Sequence, residues 1–192
     1  MKSMNCTGVQ KASIFPGIKI SNPAGLKEIG LESPVPPNQR MGKRKAAGAG
    51  AAKNNLGPKL SPFYIKESVW NQMLQHCRSE LPFEGCGLLS GTEGYASNSW
   101  RMKNIEASPI SFAMDDEEVK AAFLEMEQRN EKLTAIFHSH PTSRAYPSSQ
   151  DIKHANYPEA IYIIVSFSGK VPMVKGYQII NGRTLPVRLI RH

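Results

Sequence analysis

Leu133-Thr134-Ala135-Ile136-Phe137-His138-Ser139-His140-Pro141 is a short apolar, partly β-branched run that ends in two histidines and a proline. Its apolar part reads as a buried strand. Residues two apart on a strand face the same way, so an extended backbone turns both imidazoles toward one point. Pro141 disfavours helical geometry at His140 and helps to keep the pair extended. Thr142 to Pro147 has the composition of a loop. Ser148 or Ser149 then opens a helix with Asp151 in its first turn. A loop that folds back can bring this carboxylate beside the imidazoles. Two histidines and an aspartate can hold a zinc ion and leave one coordination position for water, whereas structural zinc sites are closed by four protein ligands, usually including thiolates.

Upstream stands Pro82-Phe83-Glu84-Gly85-Cys86-Gly87-Leu88-Leu89. Together the two stretches give a glutamate, then His-x-His-Pro, six residues, Ser, two residues and Asp. This resembles the JAMM motif of the MPN-domain zinc metallopeptidases (the JAB family), and no position of the motif is missing. The resemblance implies zinc held by His138, His140 and Asp151. It makes Glu84 the general acid/base and gives the Ser148 hydroxyl to the oxyanion of the tetrahedral intermediate. It further implies cleavage of a peptide or isopeptide bond after the C-terminal Gly-Gly of a ubiquitin-like or sulfur-carrier protein. Only 41 residues follow Asp151, which leaves little room for a second ubiquitin-binding insertion, so the chain looks like the compact prokaryotic members. A metal held by a strand and a loop suggests a substrate tail added along a sheet edge.

Charge divides the chain. Residues 1–59 hold ten Lys/Arg and two acids, whereas residues 60–192 hold fourteen of each sign. The first part is rich in Gly, Pro, Asn and Ala and shows no sustained periodicity, so it reads as a disordered basic extension. Its Lys43-Arg44-Lys45 cluster reads as a solvated linker, as sequence upstream of a start at Met41, or as a phosphate-binding patch. The neutral remainder and the lack of aromatics among these basic residues argue against nucleic acid. No apolar run is long enough for a transmembrane helix or a secretory signal. Three cysteines without C-x-x-C spacing fit a reducing cytoplasm. Cys86 reads as a small buried side chain rather than a nucleophile.

Residues 60–192 give an order of elements. Phe63 to Lys66 forms a strand. A helix capped by Ser68 runs to about Ser79, with Val69, Met73 and Cys77 on one face and His76 on its polar side. Gly87–Gly91 and Tyr95–Ile105 are strands around a turn at Thr92-Glu93-Gly94. A second helix follows Asp115 to Glu118, with Val119, Phe123 and Met126 as its apolar stripe. After the His-x-His strand and the Asp151 helix come Ile161–Val165, Pro172–Ile180, an Asn181-Gly182 hairpin turn and a closing strand over Thr184–Ile190. Such an order implies an α/β domain with a curved mixed sheet flanked by helices. The resemblance adds a cytidine-deaminase-like layout. His154 lies three residues after Asp151, as a neighbouring surface residue rather than a ligand. The alternative from another class is a non-catalytic MPN domain that binds or scaffolds.

Overall fold

A computed structural model describes residues 61–192. The extension expected over 1–59, with Cys6 and Lys43-Arg44-Lys45, lies outside the described residues. The chain runs β1 (Phe63–Ile65), α1 (Glu67–Ser79), β2 (Cys86–Thr92), β3 (Tyr95–Met102), α2 (Asp116–Gln128), β4 (Lys132–His140), α3 (Ser149–Lys153), β5 (Ile161–Ser166), β6 (Met173–Ile180), β7 (Arg183–Val187) and β8 (Leu189–Arg191). One mixed sheet holds these strands in the order β7-β6-β5-β4-β2-β3-β1-β8. It is the α/β arrangement that the order of elements implies.

Alternation along β4 sorts the core between the two faces of the sheet. Ala135 and Phe137 join Leu89, Ile163, Val69 and Met73 on the α1 side, whereas Ile136 joins Leu88, Ile164, Val119 and Met126 on the α2 side. Both faces are therefore covered, which is why β4 and β5 read as continuous apolar runs rather than as alternating ones. Burying side chains such as Phe137 and Ile136 contributes about 1.5–3 kcal/mol each. His138 and His140 continue the Ile136 side, and Ser139 continues the Phe137 side. A slip of one residue would turn both imidazoles into the α1 core, so the apolar pattern fixes the direction of the site.

Four details depart from expectation. The segment Thr184–Ile190 is two strands: β7 pairs with β6, and after Arg188 the chain pairs β8 with β1. These two strands are the opposite ends of the sheet, yet one residue joins them. With about 3.8 Å between consecutive Cα atoms, the sheet must curl until its edges approach. Ser68 does not cap α1, which starts at Glu67 after Lys66 with no side-chain cap. His76 is buried rather than on a polar side. Its Nε2 donates to the Cys86 and Met102 carbonyls at 3.0 and 3.2 Å, where the β2–β3 ladder begins. Finally, β3 stops at Met102, short of Ile105. The Lys103 amide donates to Glu118 Oε2, and Asn104 forms an isolated bridge with Met114.

Local signals account for other boundaries. Asp115 caps α2 by accepting from the Glu117 and Glu118 amides, a contribution of about 1 kcal/mol. Asn181 and Gly182 turn β6 into β7 at φ 50° and 74°, the left-handed pair that a two-residue hairpin needs. Among the described residues no helix is long and apolar enough to cross a membrane.

Candidate metal centre and active site

His138 and His140 leave β4 on one face, and their Nε2 atoms converge to 3.0 Å. His140 Nδ1 donates to the Arg144 carbonyl at 2.9 Å. That bond places the ring proton on Nδ1 and, in the neutral ring, leaves a lone pair on Nε2. His138 is held differently. Its ring stacks on Phe112 at 4.8 Å between centroids and 25° between planes, and its buried Nδ1 has no hydrogen-bond partner.

The loop between β4 and α3 is pinned along its length. The Arg144 carbonyl meets His140, the Ser143 carbonyl accepts from Ser166 Oγ at 2.6 Å, and the Ala145 carbonyl accepts from Tyr177 Oη at 2.6 Å. This brings α3 back over β4. Ser148 then caps α3 in a reciprocal box: its hydroxyl accepts from the Asp151 amide, and its own amide donates to Asp151 Oδ2 at 2.6 Å. The box aims the carboxylate. Asp151 Oδ1 lies 3.5 Å from His138 Nε2, and Oδ2 lies 3.6 Å from His140 Nε2. Burial alone would raise the Asp151 carboxyl, but the charge of His138, the two imidazoles beside it and the hydrogen bond from Ser148 hold it far below the usual carboxylate range. Burial likewise works to lower His140, and it is outweighed by the bonds to Asp151 and the Arg144 carbonyl and by the charges of Glu84 and Asp151, so its pKa is raised.

Glu84 is 4% exposed and lies just before β2, opposite the end of β4. The β2–β4 register pairs Cys86 with His138, and beyond it the Ser139 amide donates to the Gly85 carbonyl at 2.8 Å. The Ser139 hydroxyl also accepts from the Gly85 amide at 2.8 Å. Gly85 must be glycine here, because a Cβ would lie 2.9 Å from the Cys77 Cα. Glu84 therefore comes to the His140 end of the site.

The three expected ligands are thus together, and among the described residues they are the one such group, with donor atoms within 4.8 Å of one another. They fit zinc. Ligands about 2.0–2.1 Å from a tetrahedral zinc lie roughly 3.3 Å apart; here the two Nε2 atoms are 3.0 Å apart, and each has one Asp151 oxygen beside it, Oδ1 at 3.5 Å from His138 and Oδ2 at 3.6 Å from His140. With both imidazoles neutral, a carboxylate and the two rings converge on one point, and a cation would balance that set. His154 stays outside it, bonding through Nδ1 to the Gln150 carbonyl. A small pocket opens beside His138 and Asp151, walled by Ile110, Phe112 and Tyr162.

Cys86 is fully buried, and burial pushes its thiol well up, so it is no thiolate at neutral pH. The expected sheet edge is missing at the histidines, since β4 lies between β2 and β5. Sequence reasoning missed Phe112, the Arg144 carbonyl, Ser139 and Asn104, whose parts depend on register rather than on any local pattern.

Comparison with known proteins gives the family of the chain. The family described as prokaryotic homologs of the JAB domain matches residues 66–179. A CysO-cysteine peptidase of Mycobacterium tuberculosis is 38% identical over 104 residues, covering 53% of this chain and 71% of that protein. A desampylase of Pyrococcus furiosus is 36% identical over 87 residues, covering 45% and 62%. The solution structure of a protein from Desulfitobacterium hafniense shares the fold with a TM-score of 0.63 and 29% identity, over 68% of this chain and 92% of that one. The family match spans more than half of the chain and takes in both Glu84 and Asp151, so the chain belongs to the prokaryotic JAB-domain branch of the JAMM/MPN family.

Proposed function

We propose that this chain is a zinc-dependent hydrolase that cleaves a peptide or isopeptide bond after the C-terminal Gly-Gly of a ubiquitin-like or sulfur-carrier protein. The observation that carries the reading is the His138, His140 and Asp151 triangle with Glu84 buried at its side. When bound there, zinc supplies Lewis-acid polarisation of a carbonyl and makes water acidic near neutral pH. Glu84 accepts the proton of the attacking water on a carboxylate oxygen and returns it to the departing amine. The Ser148 hydroxyl accepts from Asp151 and still has a hydrogen to donate to the carbonyl oxygen as it becomes negative. The Arg144 carbonyl keeps the His140 proton on Nδ1, away from the ligand face.

The names of the relatives, a CysO-cysteine peptidase and a desampylase, support cleavage of a protein conjugate as the reaction class. Glycines at that terminus fit a site between strand ends, because a Cβ on the scissile residue would block close approach of the backbone. Cys77 and Cys86 are unpaired, which fits a cytoplasmic setting. The test is to incubate zinc-loaded protein with a carrier adduct ending in Gly-Gly and follow its mass. Cleavage after the last glycine is expected, with strong loss when that glycine becomes valine. Equal cleavage of both versions would refute the steric account. No cleavage of any carrier adduct would refute the substrate class and favour the scaffolding alternative.

A further inference from the structure

Asn104 is 6% exposed and lies in the segment joining β3 to α2. Its side-chain amide is saturated. Nδ2 donates to the Glu84 carbonyl at 2.9 Å and to the Ser111 carbonyl at 3.1 Å, while Oδ1 accepts from the Glu106 amide at 3.1 Å and the Ala113 amide at 3.2 Å. Four bonds of this pattern use the capacity of a carboxamide and fix its orientation, because every NH2 contact is a carbonyl and every oxygen contact an N–H. Three of the bonds staple the segment to itself. The fourth leaves it and reaches Glu84.

Glu84 is held from the other side as well, since its amide donates to the Ser108 carbonyl at 2.9 Å. One segment therefore grips both backbone polar groups of this residue. The same segment carries Phe112, stacked on His138, and the exposed Ile110 at the rim of the cavity. We propose that Asn104 is a positioning residue that ties Glu84 to the Ile110–Phe112 wall, so that the base keeps its place relative to His138. This rests on the reading of Glu84 as the proton carrier.

Asn104→Asp keeps the size and both acceptor contacts while setting an oxygen against two carbonyls. Zinc should stay at one per chain and KM within about threefold. The kcat should fall about 10- to 100-fold, the scale of a small misplacement of a catalytic group. In a Glu84→Gln background the same substitution should cost less than about twofold more, because its effect passes through Glu84. Losses that multiply in the double variant, or a single variant within twofold of wild type, would overturn the proposal. Should Asn104→Asp not fold, Asn104→Ser carries the same comparisons. Amide exchange judges the link without any substrate: Asn104→Ala should speed exchange at Glu84 and Gly85 together with Glu106 and Ala113. Faster exchange confined to Glu106 and Ala113 would overturn it. Full activity of Glu84→Gln alone would instead sink the assignment of the base, with the exchange result still deciding the link.

Discussion

Each end of β4 holds a carboxylate among hydrogen-bond donors, and the two ends do different things. At the start, Glu131 Oε2 accepts from Ser90 Oγ at 2.6 Å, and Oε1 accepts from Ser97 Oγ at 2.8 Å and Asn98 Nδ2 at 2.6 Å. Trp100 Nε1 closes the group by donating to Ser90 Oγ. At the far end, Asp151 faces two imidazole nitrogens 3.0 Å apart, one of which has its ring proton committed elsewhere. Both carboxyls lie below their ordinary values. For Glu131, burial works upward and the three bonds, with the charge of Arg129, work downward. A lowered carboxyl therefore does not separate a site from a staple. The partner atoms do: at Glu131 each is a hydroxyl or amide donor, whereas Asp151 shares its place with two imidazole nitrogens, a set that could hold a cation.

The comparison breaks first on metal content. His140→Ala should take zinc from about one per chain to almost none, since two remaining ligands hold it poorly. Glu131→Ala should leave zinc unchanged. Metal analysis of the two purified variants decides it, and a His140→Ala protein with full zinc would move the site elsewhere.

The next effect lies in turnover. Glu84→Gln should keep zinc and fold while lowering kcat by about 10² or more, the scale of a lost general base. Ser148→Ala should slow turnover by roughly 10²-fold if its hydroxyl meets the oxyanion. It also removes half of the capping box, so melting temperature is measured beside the rate. Near wild-type turnover for Glu84→Gln would mean that another group carries the proton.

What could be read from the sequence was whatever local pattern determines. The apolar run before His138, the proline after His140 and the Ser148–Asp151 cap each act within a few residues, and each stands where the sequence puts it. The misreadings concern distant partners. His76 lies three residues after Met73, on the flank of the buried face, and only the Cys86 and Met102 carbonyls make a polar ring tolerable there. The break at Arg188 follows from closure of the sheet against β1, 125 residues earlier in the chain. Asn104 and Glu131 look like ordinary polar residues until the register brings Glu84 and Ser90 to them.

Acidity separates the two ends by a smaller amount. A proton and a metal compete for His140 Nε2, and the pKa of His140 is raised. Zinc affinity should therefore begin to fall above the ordinary histidine range as pH is lowered, by about tenfold per unit for one displaced proton. The charge of Glu84 contributes to that rise, so Glu84→Gln should shift the fall to lower pH. Competition with a chromophoric chelator measures both curves, and superimposable curves would remove Glu84 from the electrostatics of the site.

The smallest expected effect belongs to the closed end. Glu131→Ala leaves the hydroxyl of fully buried Ser90 without its acceptor, a loss of about 1–3 kcal/mol. Thermal unfolding should show a fall of several degrees, while kcat stays within about twofold of wild type because the whole length of β4 separates Glu131 from His140. The sign of the pH dependence follows from the lowered carboxyl. Its contribution is fully present above the unfolded-state value and fades as pH drops through the folded one, so stability at this end should weaken only in acid. The variant should lack that acid-dependent part. Unchanged stability would show that Ser90, Ser97 and Asn98 find other partners, and a large loss of turnover would show that the two ends of the strand are coupled.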